Sequence, residues 1–192
     1  TDPTEPKFKS LRQWALGHGR KWGVAVDRNV LEVPANAALV IKEFNQVTPE
    51  NSMKWAGTDD GKPLDAADYV VNFAQVHNMA IRGHAGLWHK QYPKRLDKIT
   101  DPAKMEKEIH DHITMIVGRW KGKIAVWDVV NEILDENGNL RDSIFSRVLG
   151  EKFVPIAFNA AHKADPEARL YINDFNLDDP NYAKTKGMIA KV

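Results

Sequence analysis

The segment Trp127-Asp128-Val129-Val130-Asn131-Glu132 sets two carboxylates and an amide in a run that is otherwise apolar. A carboxylate taken out of water without a partner is costly, so acidic residues here need either a partner or a task. Read as a strand, the run alternates faces, with Asp128, Val130 and Glu132 on one side and Trp127, Val129 and Asn131 on the other. Carboxylates that work on one glycosidic bond stand roughly 5 to 10 Å apart. Four positions along a strand separate Asp128 from Glu132 by roughly 13 Å, so a working partner for Glu132 must come from another strand. The blander reading makes Glu132 a cap on the following helix or the partner of an arginine. Polar groups close other apolar runs in the same way: Glu50-Asn51, His84 and Asn173-Asp174.

Short apolar runs alternating with helical patterns must hold these groups. Trp22 to Val26, Phe44 to Thr48, Met79 to Gly83, Ile124 to Val130 and Arg169 to Asn173 read as strands. Asp65 is placed as an N-cap, with Asp68 in the first turn and Tyr69, Val70, Phe73 and Ala74 at helical spacing. Asp101-Pro102 opens a second helix that buries Met105, Ile109, Ile113 and Ile116 and ends at Gly118. A third spans Pro155 to Ala164 and stops before Pro166, and a further helix-like element runs from Tyr182 to Val192. Repeated strand–helix units describe a parallel sheet. An open dinucleotide-binding sheet would carry a Gly-rich turn after its first strand, and none is present. Polar residues at the C-terminal ends of successive strands are the pattern of a (β/α)8 TIM barrel of the α/β class. Such barrels take about 250 residues, so these 192 supply roughly the first five βα units. No linker or composition break appears, and residues 1–192 read as part of one catalytic barrel without an internal boundary.

With 27 basic against 26 acidic side chains the chain has no field to steer nucleic acid, and no apolar run approaches the roughly 20 residues that span a bilayer. Neither nucleic acid nor membrane is expected as a partner. The absence of cysteine excludes thiolate metal sites and cysteine nucleophiles. The start Thr1-Asp2-Pro3, without initiator Met or apolar leader, suits a mature or processed polypeptide. His110 and His112, two apart on a helix, are expected at the surface, and no metal site is expected. Trp22, Trp55 and Trp127 are expected in the core. Trp88, beside His84 and His89, is the tryptophan expected to meet ligand, since C–H faces of a sugar stack on aromatic rings.

Four stretches in order carry a resemblance: Phe44 to Trp55 (FNQVTPENSMKW), Ile81 to Gln91 (IRGHAGLWHKQ), Trp127 to Leu134 (WDVVNEIL) and Leu170 to Asn176 (LYINDFN). Together they resemble glycoside hydrolase family 10, the endo-β-1,4-xylanases, over about the first five-eighths of that family's catalytic domain. The resemblance implies that Glu132 is the general acid/base and that Asn131 bonds the sugar at the cleavage point. Glu50, Asn51 and Lys54 would hold the next sugars on the non-reducing side, His84, Trp88 and Gln91 would form the third-strand wall, and Asn173 matches a sugar-binding residue of the fifth strand close to the acid/base. Asp128 matches a supporting aspartate whose histidine partner belongs to the sixth strand. Lys54 read without the family is a solvated cation.

The sequence departs from the family at Ala85-Gly86-Leu87, commonly Thr-Leu-Val, and at Lys90, where Ser is frequent. A looser backbone beside His84 and Trp88 is the expectation. No residue matches the family's nucleophilic glutamate on the seventh strand. The implied activity is therefore retaining hydrolysis of internal xylosidic bonds of xylan or xylo-oligosaccharide. It would be secreted and extracellular, need no cofactor, and be completed by a C-terminal barrel fragment. The competing readings are a non-catalytic half-barrel that only binds sugar or a complementary chain, and a different barrel hydrolase.

Overall fold

The computed structural model describes residues 9–59 and 61–191. The opening Thr1-Asp2-Pro3 and the expected helix end at Val192 lie outside them. Five strands, β1 (Gly23–Val26), β2 (Gln46–Pro49), β3 (Ala80–Trp88), β4 (Val126–Asn131) and β5 (Arg169–Asn173), pair in chain order. Every neighbouring pair is parallel, so each step from strand to strand needs a crossover. Helices supply them. α1 (Leu11–Gly17) precedes β1; α2 (Arg28–Leu31) and α3 (Pro34–Glu43) lead to β2, and α4 (Trp55–Thr58) and α5 (Asp65–Val76) to β3. α6 (Pro102–Arg119) leads to β4, α7 (Ile144–Leu149) and α8 (Phe153–Ala164) to β5, and α9 (Ala183–Ile189) follows β5. The result is an arc of a (β/α) barrel whose outer strands, β1 and β5, have no further strand partner among the described residues.

The core lies between the sheet and the helices. α6 turns Met105, Ile109, Ile113 and Ile116 inward at helical spacing, as expected, and α5 does the same with Ala67, Val70, Val71 and Ala74. Trp127 packs outward from β4 against Trp120 (6.2 Å between rings). It needs the bare backbone of Gly83 on β3, where a Cβ would stand 2.3 Å from its ring.

Several local expectations give way to long-range contacts. Asp65 is the first residue of α5 rather than its cap, and its carboxylate meets Arg28 at 3.1 Å instead of a helix N–H. α6 runs one residue past Gly118. β3 extends to Trp88 because both His84 and Trp88 find ladder partners on β4, so both lie within the strand rather than after it. Trp22, expected in the core, is 47% exposed: it stands just before the edge strand β1 and stacks on Phe44. His112, expected at the surface with His110, is buried: its ring stacks on Trp55 at 4.1 Å and its Nε2 meets the Gly86 carbonyl at 3.1 Å. Gly86 is correspondingly tight rather than loose, because a Cβ there would lie 2.5 Å from both Ile113 and the Val129 carbonyl.

Candidate active site

The C-terminal ends of β2 to β5 gather the expected residues into three adjoining hollows. Glu50, Lys54, His84, Asp128 and Asn173 line the concave face of the sheet. Trp88, Asn131 and Glu132 line a second hollow with His89 and Arg141. Asn51 and Gln91 line a third with Asp27. The Asn51 amide oxygen joins them, accepting from Lys54 Nζ at 3.2 Å and from Gln91 Nε2 at 3.1 Å. Lys54 Nζ in turn stands 4.6 Å over the Trp88 ring.

Lys54 is therefore not a solvated cation; it is 8% exposed. Burial pushes its ammonium pKa down, against the opposing pull of Asp27, Glu50 and Glu132. Asp27, directly after β1, fixes the Asn51 turn by accepting from the Asn51 N–H at 2.8 Å and the Ser52 N–H at 3.1 Å. The rule that singled out polar residues after the other strands would have found Asp27 as well. Glu50 is exposed to the cleft.

Pairing register decides the faces of β4. Asp128 lies opposite Tyr171 and Asn131 opposite Asn173, two positions further along β5, so one residue of β4 is extra between them. That bulge puts Asn131 on the face of Asp128, not on the face of Trp127 as strict alternation predicts. Asp128, 2% exposed, is bridged by two nitrogens of Arg82 and accepts from His84 Nδ1 at 2.9 Å. Its partners in this structure are thus residues of β3: His84, in register with it, and Arg82, two positions earlier. The Asn131 amide sits between Asn173 and Trp88. In one orientation it accepts from Asn173 Nδ2 at 2.8 Å, and turned over it accepts from Trp88 Nε1 at 3.2 Å.

Glu132 leaves the strand in a left-handed conformation, with φ at 55°. Its N–H donates to the Asn173 carbonyl at 2.8 Å, and its carbonyl accepts from Arg141 Nε at 2.8 Å. The carboxylate faces His89 Nδ1 at 3.7 Å. Burial pushes the His89 pKa down, aided by Arg141 and opposed by Glu132. Helix α7 takes its cap from Ser143, which accepts from the Ser146 N–H at 3.0 Å, so Glu132 caps nothing. Arg141 reaches its backbone, not its carboxylate. His89 was noted in the sequence only as a neighbour of Trp88, and Arg141 was missed because nothing local marks it. Among the described residues no cluster of His, Asp or Glu is gathered to hold a metal ion.

A family model described as glycosyl hydrolase family 10 matches residues 10–192. This chain belongs to that family. Among its relatives, endo-1,4-beta-xylanase 2 of Claviceps purpurea is 51% identical over 187 residues, which cover 95% of this chain and 58% of the relative. Endo-1,4-beta-xylanase 3 of Hypocrea jecorina is 51% identical over 170 residues, 87% of this chain and 49% of the relative. Of solved structures, xylanase 10B from Thermotoga petrophila in complex with xylobiose superposes with a TM-score of 0.91 at 30% identity, over 97% of this chain and 59% of that one. A mutant of the intracellular xylanase of Thermoanaerobacterium saccharolyticum bound to xylotriose gives 0.83 at 36% identity, over 89% of this chain and 58% of that one. The family 10 chain thus spans between 49% and 59% of the length of these relatives, and its five strands match that part of their barrel.

Proposed function

We propose that this chain is the acid/base-bearing part of a retaining endo-1,4-β-xylanase that acts outside the cell on xylan or xylo-oligosaccharide. The observation that carries the reading is Glu132 itself. Its backbone is pinned at the C-terminal end of β4, while its carboxylate, among the described residues, caps no helix, pairs with no arginine and opens into a hollow lined by Trp88 and Asn131. In this reading Glu132 protonates the leaving oxygen as a carboxylate 5 to 5.5 Å away attacks the anomeric carbon. It then removes a proton from water to release the glycosyl-enzyme. Asn131 and Asn173 hold the sugar at the cleavage point. Glu50, Asn51, Lys54, His84 and Gln91 supply fixed donors and acceptors for the neighbouring hydroxyls, and Trp88 supplies an apolar face. Asp128, held by Arg82, orients the His84 ring through its Nδ1. The chemistry requires no cofactor. The attacking carboxylate belongs to a complementary C-terminal part of the barrel, beyond β5.

The test is complementation. Alone, the chain should show no xylan hydrolysis, because the double displacement has no first step without the second carboxylate. A polypeptide supplying the remaining strands of a family 10 relative should restore hydrolysis, and the same polypeptide without its glutamate should not. Turnover of xylan by the chain alone that disappears in Glu132→Gln would place the nucleophile within these residues and overturn the division of roles.

A further inference from the structure

Among the described residues one lysine, outside the residues that line the candidate site, is wholly buried. Lys184, in the first turn of α9, has a side chain with no exposed surface. Its Nζ lies 2.8 Å from Asp174 Oδ1, itself wholly buried, 3.2 Å from the half-exposed Glu136 and 3.5 Å over the Phe175 ring. Taking both members of an ion pair out of water costs several kcal/mol per ion, so a fully buried pair is weak evidence for a stability role and calls for another. The other oxygen of Asp174 supplies it, accepting the Leu134 N–H at 3.2 Å, two residues beyond Glu132.

The stretch 132–134 is thereby held from several sides. Arg141 takes the carbonyls of Glu132 (2.8 Å) and Leu134 (2.6 Å), Asn173 takes the Glu132 N–H, and Asp174 takes the Leu134 N–H. A non-glycine residue at φ 55° persists only where its surroundings over-determine it. The loop and α9 are brought together by two glycines: a Cβ on Gly187 would stand 2.4 Å from the Gly138 carbonyl, and one on Gly138 would stand 2.5 Å from the Ala183 carbonyl. That backbone contact sets the distance at which Lys184 reaches Asp174.

We infer that Lys184 is a positioning residue for Glu132, acting through Asp174 and the Leu134 N–H. The inference rests on the reading of Glu132 as the acid/base. The Lys184 ammonium, 2.8 Å from one oxygen of Asp174, aims the other oxygen at the Leu134 N–H; without it, the buried Asp174 side chain loses its ion-pair partner and swings away from the loop.

The experiment has two readouts. Hydrogen exchange on the full chain should show the Leu134 and Glu132 amides exchanging about tenfold faster in Lys184→Met, the worth of roughly one hydrogen bond, while Val24 and Val47 on β1 and β2 keep their protection. Gly187→Ala keeps every charge but forces α9 away, and it should loosen the same two amides; it decides the matter if Lys184→Met does not fold. In the completed barrel, Lys184→Met should lose about tenfold or more on xylan and far less on an aryl xyloside with a good leaving group, since only the former needs a well-placed acid. Unchanged Leu134 exchange, uniformly faster exchange across the sheet, or equal losses on the two substrates would overturn the inference. Glu132→Gln run beside it separates the two ideas: if that variant loses both substrates equally, the reading of Glu132 fails and not the clamp.

Discussion

Glu132 shows how packing can leave a carboxylate without its ordinary employments, which is what the proposed acid/base role requires. Ser143 caps the following helix, Arg141 is spent on two carbonyls, and the Asn173 carbonyl takes the Glu132 N–H. What remains free is the carboxylate, with His89 3.7 Å away. In the completed barrel, Glu132→Ala is expected to cost about two to four orders of magnitude on xylan and to spare an activated aryl xyloside, because protonation matters only for a basic leaving oxygen. Steady-state rates on the two substrates check it, and equal losses would make Glu132 structural or the nucleophile. Lys54 has a different task. It is nearly buried against Trp88 and bonded to Asn51, so Lys54→Met should weaken xylo-oligosaccharide binding more than it changes turnover, read as a rise in KM larger than the fall in kcat.

At the scale of elements, the seam between β3 and α6 links the family departure at Ala85-Gly86 to a buried histidine. His112 Nε2 donates to the Gly86 carbonyl while its ring stacks on Trp55, and Gly86 has no room for a side chain. Overpacking of this kind costs about 1–3 kcal/mol, so Gly86→Ala should lower the urea midpoint of the chain, and an unchanged midpoint would show that the seam yields freely. Burial pushes the His112 pKa down to about 3 from an ordinary 6.5. The unfolded chain therefore binds the proton that the folded chain refuses. The neutral ring's contribution is complete above pH 6.5 and is lost as pH falls from 6.5 toward 3, at up to about 1.4 kcal/mol per pH unit. His112→Leu should be less stable than the parent near pH 7 and show a gap that narrows on acidification. Urea melts at pH 7, 5 and 4 measure it, and a constant gap would mean that the ring titrates normally.

For the whole molecule, the decisive feature is that the sheet is open. Trp22 just before β1 and Leu11, Trp14 and Leu16 on α1 are exposed, as are Tyr171 on β5, Phe175 just beyond it and Ile189 on α9. Unpaired parallel edges and uncovered apolar side chains favour association. The chain alone should elute as a mixture of sizes and melt broadly, and a polypeptide carrying the remaining strands should convert it into a single species with a sharp, higher melt. Size exclusion and calorimetry test this; a monodisperse, cooperatively melting monomer of the chain alone would refute it.

The amino-acid sequence by itself determined the strand–helix alternation, the parallel sheet, and the gathering of polar residues toward the C-terminal ends of four of the five strands, because apolar periodicity and turn chemistry are local properties written within a few residues. Glu132, Asn131, Lys54 and His84 were legible for the same reason, as polar groups closing apolar runs or as members of family motifs. What tertiary structure alone decided are the quantities that depend on which residues of distant segments stand opposite each other. The extra residue between Asp128 and Asn131 exists only relative to β5, and it reverses the face assigned to Asn131. Asp128 is satisfied by Arg82 and His84 because β3 and β4 pair in that register, and no spacing within β4 contains this. His112 is buried because α6 lies against Trp55, and Lys184 is buried because two glycines let α9 approach the β4 loop. Side-chain periodicity fixes which residues can turn inward; only the packing of remote elements fixes what they meet there.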